Sequence, residues 1–113
     1  MDIRNITKVE PMMVHGGAVK AWIMFDREND GLRSIKFLSE FDISGGAKVE
    51  PHTHEEHHEF VYFLFGRGEV WIDGETKEVV PGDVVWIPVK AAHTIKSSNR
   101  DSPVHGIAIA VSV

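Results

Sequence analysis

Apolar and polar residues alternate along most of this chain in short runs, cut by Gly, Pro and Asp-Gly. Residues 1–17 are weakly patterned and read as an N-terminal arm or a short strand. Ala18 to Phe25, AVKAWIMF, reads as a strand, and Asp26 to Gly31 as a polar loop ending in a turn. Ile35, Phe37, Phe41 and Ile43 alternate with Lys36, Glu40 and Asp42, which predicts a strand with one buried and one wet face. Glu69 to Ile72 is expected to pair with Lys77 to Val80 across Asp73-Gly74, with a loop that could reach Thr76. Val84 to Ile87 is a fully apolar strand stopped by Pro88, and Ala91 to Ile95 begins another. Val104 to Val113 closes the chain, with Ile107, Ile109, Val111 and Val113 on one face and small residues on the other. Trp22, Phe25, Trp71 and Trp86 are expected in the core. Short strands between such turns, with no helix-period segment of useful length, predict an all-β barrel or sandwich.

The stretch from Gly46 to Gly66 carries the chemistry. His52, His54, His57 and His58, four of the seven histidines, sit there with Glu55, Glu56 and Glu59. In an extended strand, His52 and His54 at i and i+2 share a face, which suits two imidazoles on one ion. Glu59 enters the run FVYFLF, whose faces are both apolar, so the strand is expected to be buried on two sides. A carboxylate there must be paired or bound to a cation. The bland alternative is a solvated turn of exposed His and Glu pairs worth little energy. The acid in an apolar strand, and the later His93, shift the balance to a metal site.

These residues resemble the cupin superfamily. Its first motif is Gly, five residues, His-x-His, three or four residues, Glu, six residues, Gly. The chain reads Gly46, AKVEP, His52-Thr53-His54, EEHH, Glu59, FVYFLF, Gly66. In the second motif Gly82, Pro88 and His93 match, while Lys90 stands in place of a glycine and Ser97 in place of an asparagine. The resemblance implies one cupin domain over residues 1–113, folded as a double-stranded β-helix (jelly roll), with motifs at 46–66 and 82–97. It implies His52, His54, Glu59 and His93 as ligands of one divalent transition metal: manganese, iron, nickel, cobalt, copper or zinc. His58 is a rival to Glu59, because some small cupins place a histidine there. His57 and Glu55 are expected to be dispensable. Lys90 is expected to alter a turn rather than the site. A homodimer is implied, with a second sheet or second subunit covering Phe60, Tyr62 and Leu64.

Composition narrows the function. The formal net charge is −5, and no basic stripe suggests nucleic acid. There is no cysteine, so neither disulfides nor thiolate ligands are available. The N-terminal residues do not read as a signal peptide, and no apolar run suits a membrane span, so cytoplasm is the default expectation. His15, before Gly16-Gly17, reads as structural or surface. His105 reads as structural, with the cavity mouth as its other option. The leading expectation is a metal-dependent enzyme on a small molecule, with dioxygenase or other oxidoreductase chemistry ahead of isomerase or lyase chemistry. A non-catalytic module that binds or senses a metal or small ligand is the alternative.

Overall fold

The computed structural model describes residues 1–113. Nine strands form in chain order: β1 (Met12–Val14), β2 (Val19–Asp26), β3 (Ile35–Ile43), β4 (His57–Phe65), β5 (Gly68–Ile72), β6 (Glu75–Val79), β7 (Val84–Ile87), β8 (His93–Ser97) and β9 (Val104–Ser112). The larger sheet has the order β1-β2-β3-β9-β4-β7, and the smaller has β6-β5-β8. All pairings are antiparallel. This is the all-β architecture that the strand pattern predicts, in the double-stranded β-helix form that the resemblance implies. The loop after β2 is a single helical turn, Arg27–Asp30, capped by the Asp26 side chain and ended at Gly31 in the left-handed region. No helix is long and apolar enough to cross a membrane.

One apolar core joins the sheets. Phe41, Val61, Phe63 and Val104 from the larger sheet meet Val70, Val79 and Ile95 from the smaller. The hairpin between β5 and β6 is tight. Ile72 pairs directly with Glu75, and both Asp73 and Gly74 have positive φ, at 45° and 89°. That is the backbone demanded by a two-residue turn matched to strand twist. Thr76 therefore belongs to the strand, and the longer loop is not formed.

Two expectations about burial need correction, and one pair of faces that the sequence left unassigned is now assigned. First, β4 is buried on one side only. Val61 and Phe63 point inward at 1% and 0% exposure, whereas Phe60, Tyr62 and Leu64 face outward and are exposed. Second, β9 turns its small residues inward. Gly106, Ala108 and Ala110 are buried, while Ile107 and Ile109 lie on the outer face. The reason is space: a Cβ on Gly106 would lie 2.3 Å from the Tyr62 carbonyl oxygen and 2.8 Å from Phe41 Cζ. His105 shares the outer face. Its Nε2 is 2.6 Å from Glu40 Oε1 and its Nδ1 3.3 Å from Asp42 Oδ2, so it is tied to the sheet's back and not to a cavity. Third, none of the four aromatics expected in the core is buried. Trp86 is 56% exposed, and Trp22, Phe25 and Trp71 are half-buried. Phe41 and Phe63 fill the core in their place, edge to face at 6.3 Å.

Gly106→Ala is expected to lower stability by about 2 kcal/mol, because the new methyl group meets backbone rather than a movable side chain. Urea unfolding measures this, and an unchanged midpoint would contradict the inward packing of β9.

Candidate metal centre

His52 does not lie in a regular strand. It forms an isolated bridge with His93, the first residue of β8. The His52 amide donates to the His93 carbonyl, and the His93 amide donates back, both at 3.0 Å. Pro51 precedes this bridge and blocks a longer ladder on that side. His54 lies outside any strand, so the two imidazoles come from a bridge residue and the loop that follows it rather than from one face of a strand.

Each bridged imidazole is aimed by a nearby carbonyl. His52 Nδ1 is 2.9 Å from the Glu50 carbonyl oxygen, and His93 Nδ1 is 2.9 Å from that of Ala91. With the proton on Nδ1 as donor, Nε2 of each ring carries a free lone pair. This is the outer-shell arrangement that fixes the tautomer of a metal-binding histidine. His93 Nε2 is buried and has no hydrogen-bond partner. His54 Nε2 is also buried without one, although Glu59 Oε2 is 3.3 Å away. The two donors lie near each other but are not aligned as a hydrogen bond.

His52, His54 and His93 offer donor atoms that all lie within 4.8 Å of one another. Two donors at about 2.1 Å from one ion are separated by about 3 to 4 Å, so small rotations would close this set. Glu59 belongs to a second triad within the same limit, with His54 and His57. His54 is common to both. His52, His54, Glu59 and His93 all line one cavity, with Glu59 in a separate donor group that joins His52 and His93 through His54.

Strand alternation separates the rivals. His57, Glu59, Val61 and Phe63 share the inward side of β4. His58 stands outward, where its Nδ1 accepts the Val89 amide at 3.0 Å and lies 3.4 Å from the Trp86 indole nitrogen. It anchors the turn from Pro88 to Ala91. Lys90, in that turn, has φ 68°, the left-handed conformation that favours the glycine it replaces. Its amide donates to the His54 carbonyl at 2.8 Å. Ser97 holds the following loop, its hydroxyl 2.7 Å from the Ser102 carbonyl and 3.0 Å from that of Asn99.

Two histidines expected to be peripheral lie at the site. His57 is 4% exposed and stacks on His54 with ring centroids 4.4 Å apart. His15 lines the cavity, its ring 4.5 Å from that of His52, and its backbone is left-handed at φ 51°. Period two along β4 gave a signal for His57, since it shares the parity of Glu59. For His15 no sequence signal existed. Glu55 remains exposed.

Burial shapes the charges. Burial opposes ionisation of Glu59, but the His54 side chain and the surrounding imidazoles outweigh it and hold the carboxyl below its ordinary range. Burial, then His54, pushes the His57 imidazole down to about 4. Burial also lowers His93 against the Ala91 carbonyl, and burial with the nearby His52 lowers His15. Four buried ring nitrogens without partners, on His54, His57 and His93, are a heavy load. Neutral imidazoles with free lone pairs beside a carboxylate fit a divalent transition ion, which would relieve that cost.

The cavity above these donors has a volume of about 260 Å³. Val19, Ile23, Phe37, Phe41, Val61 and Ile95 contribute to its wall, and no Lys or Arg lines it. A cupin domain family model matches residues 39–110, more than half of the chain. The chain belongs to the cupin family. An uncharacterized protein of Methanocaldococcus jannaschii is 30% identical to this cupin over 90 residues, 80% of this chain and 70% of that one. Quercetin 2,3-dioxygenase of Bacillus subtilis is 28% identical over 64 residues, 57% of this cupin but 19% of that enzyme. A predicted oxalate decarboxylase of Thermotoga maritima has the same fold, with a TM-score of 0.87, 19% identity and full coverage of both chains.

Glu59→Ala is expected to lose most bound metal, whereas His58→Ala keeps it and loses about 1 kcal/mol of stability with the Val89 bond. Metal content and thermal unfolding of the two variants decide the matter; the opposite pattern would reverse the assignment. Acid should also weaken the metal-free protein. His57 is neutral when folded down to about 4 but takes up a proton near its ordinary 6.5 when unfolded. The unfolded state therefore binds more protons between those values, and stability falls as pH drops from 6.5 towards 4. Replacing His57 with Gln should flatten that slope in urea titrations across the range.

Proposed function

We propose that this cupin is a metal-dependent enzyme whose substrate is a small, mainly apolar molecule carrying a pair of oxygen donors. The apolar chamber beside His52, His54, Glu59 and His93 carries the proposal. A divalent ion held by those four side chains would supply Lewis-acid polarisation or a binding position for dioxygen. The chain's own groups do the rest. The Glu50 and Ala91 carbonyls keep the His52 and His93 rings oriented. Glu59 contributes one negative charge, which leaves a divalent set a single net positive charge for a guest's oxygen pair. Val61, Phe41 and Ile95 exclude water and favour an apolar body over a compact dianion.

The named relatives span different chemistries on one fold, so the reaction is argued from the chamber. Oxidoreductase chemistry of the dioxygenase type leads, and isomerase or lyase chemistry follows. One observation favours a binding or sensing module. Outside the two donor triads, His15 is the single titratable side chain lining the chamber. Turnover separates the readings.

The reading also includes a homodimer. Phe60, Tyr62 and Leu64 on β4 and Val84 and Trp86 on β7 are exposed large apolar residues on neighbouring strands of the outer sheet face. A contiguous face of this kind suits a self-complementary contact with a second copy, the arrangement favoured by the likeness to small cupins.

Calorimetry and oxygen-uptake assays on protein loaded with Fe(II), Mn(II) or Co(II) test the substrate class. A cyclic diketone or catechol should bind at least ~10-fold more tightly than oxalate, with turnover for at least one metal. Tighter binding of oxalate would sink the apolar-substrate reading, and tight binding without turnover would favour the sensing module. Sedimentation of Trp86→Lys should show monomer where the parent chain is a dimer; a parent chain that is monomeric at tens of micromolar would remove the homodimer.

A further inference from the structure

His57 is buried on the inward side of β4, two residues before Glu59, and no hydrogen bond reaches either of its ring nitrogens. The other inward histidines contrast with it. His52 and His93 each spend Nδ1 on a carbonyl and leave only Nε2 free. An imidazole kept in an apolar wall for packing alone would normally satisfy at least one nitrogen. The aromatic neighbour of His57 besides His54 is Phe37, edge-on at 6.2 Å, which offers no acceptor. The rings of His54 and His57 lie nearly parallel, 28° apart. Donor atoms of His54, His57 and Glu59 fall within the same 4.8 Å limit as those of His52, His54 and His93.

We infer that His57, which lies behind the chamber's lining, is a further metal ligand acting with His54 and Glu59. The inference rests on the reading of the chamber as a metal site, and it extends the donor set to four imidazoles and one carboxylate. Its physical basis is the grouping of the donors. Glu59 clusters with His57 and His54, not with all three of the other histidines. An ion drawn towards Glu59 thus comes within reach of His57. Strand geometry makes the pair rigid, because residues at i and i+2 on one strand present their side chains to the same side. His58, the neighbouring histidine, points outward and has its own partner in Val89. The chain therefore uses the two adjacent histidines in opposite ways: one inward beside His54 and Glu59, one towards the turn that carries Lys90 and Ala91.

The test is Co(II) titration of the metal-free full chain, followed by absorption in the visible and by competition with a chelator. His57→Gln should weaken Co(II) binding by about 10-fold or more and shift the d–d bands, while Glu55→Gln, at an exposed carboxylate outside both donor triads, stays within about 2-fold of the parent with an unchanged spectrum. Equal affinity and spectrum for His57→Gln and the parent would overturn the inference. A crystal of the parent chain loaded with Co(II) needs no variant. Anomalous density about 2.1 Å from a His57 nitrogen supports it, and an ion bound by His52 and His93 with His57 beyond about 3.5 Å overturns it. Failure of the parent chain to bind Co(II) at all would overturn the metal-site reading itself, an outcome distinct from an ion bound without His57.

Discussion

Two backbone hydrogen bonds between His52 and His93 hold the chamber together. Each residue donates to the other at 3.0 Å, so two side chains from distant parts of the chain are set side by side before any ion is present. The bridge ties the irregular segment after β3 to the small sheet, while β4 brings Glu59 and His57 in from the large sheet. The donor set thus spans both sheets, and a metal bound there would cross-link them. That is a direct coupling of ligand binding to fold stability.

The turn from Pro88 to Ala91 is the second support. It bonds His54 through the Lys90 amide, orients the His93 ring through the Ala91 carbonyl, and is itself held from outside by His58. A histidine that looks like a ligand in the sequence works as a peg for the ligands' support. Lys90 keeps a left-handed conformation there without a glycine, at a cost of about 1 kcal/mol. Its amide bond to the His54 carbonyl, with the flanking bonds from Ala91 to Pro88 and from Val89 to His58, holds it in place. Space in the chamber has a similarly local origin. Ala108 on β9 lines it, and the larger Ile107 and Ile109 are turned to the outer face.

Much of this was legible in the residues. The spacing of His52, His54 and Glu59, the later His93, and the Asp73-Gly74 turn each encode local geometry, and local geometry is what short-range patterns carry. Burial of faces was less legible. An apolar run such as FVYFLF says that both sides of β4 avoid water, but not whether a second sheet or a second molecule covers the outer one. The same ambiguity misplaced Trp86 in the core. On β9, alternation identified two faces, but only the close approach of Gly106 to Tyr62 shows which is inward. His15 reaches His52 through a left-handed turn that no periodicity signals. His57 shares the parity of Glu59, but that signal is readable only once the strand's start is known, because a tract of polar residues otherwise reads as solvated.

The central claim is that imidazoles and a carboxylate from both sheets share one divalent ion. Elemental analysis of untagged protein purified without chelator, beside its His93→Ala variant, tests it most directly. The account predicts close to one equivalent of a transition metal in the parent chain and a large loss in the variant, whose fold is checked by circular dichroism. A parent chain that stays folded, carries no metal and takes none up when ions are supplied would contradict it.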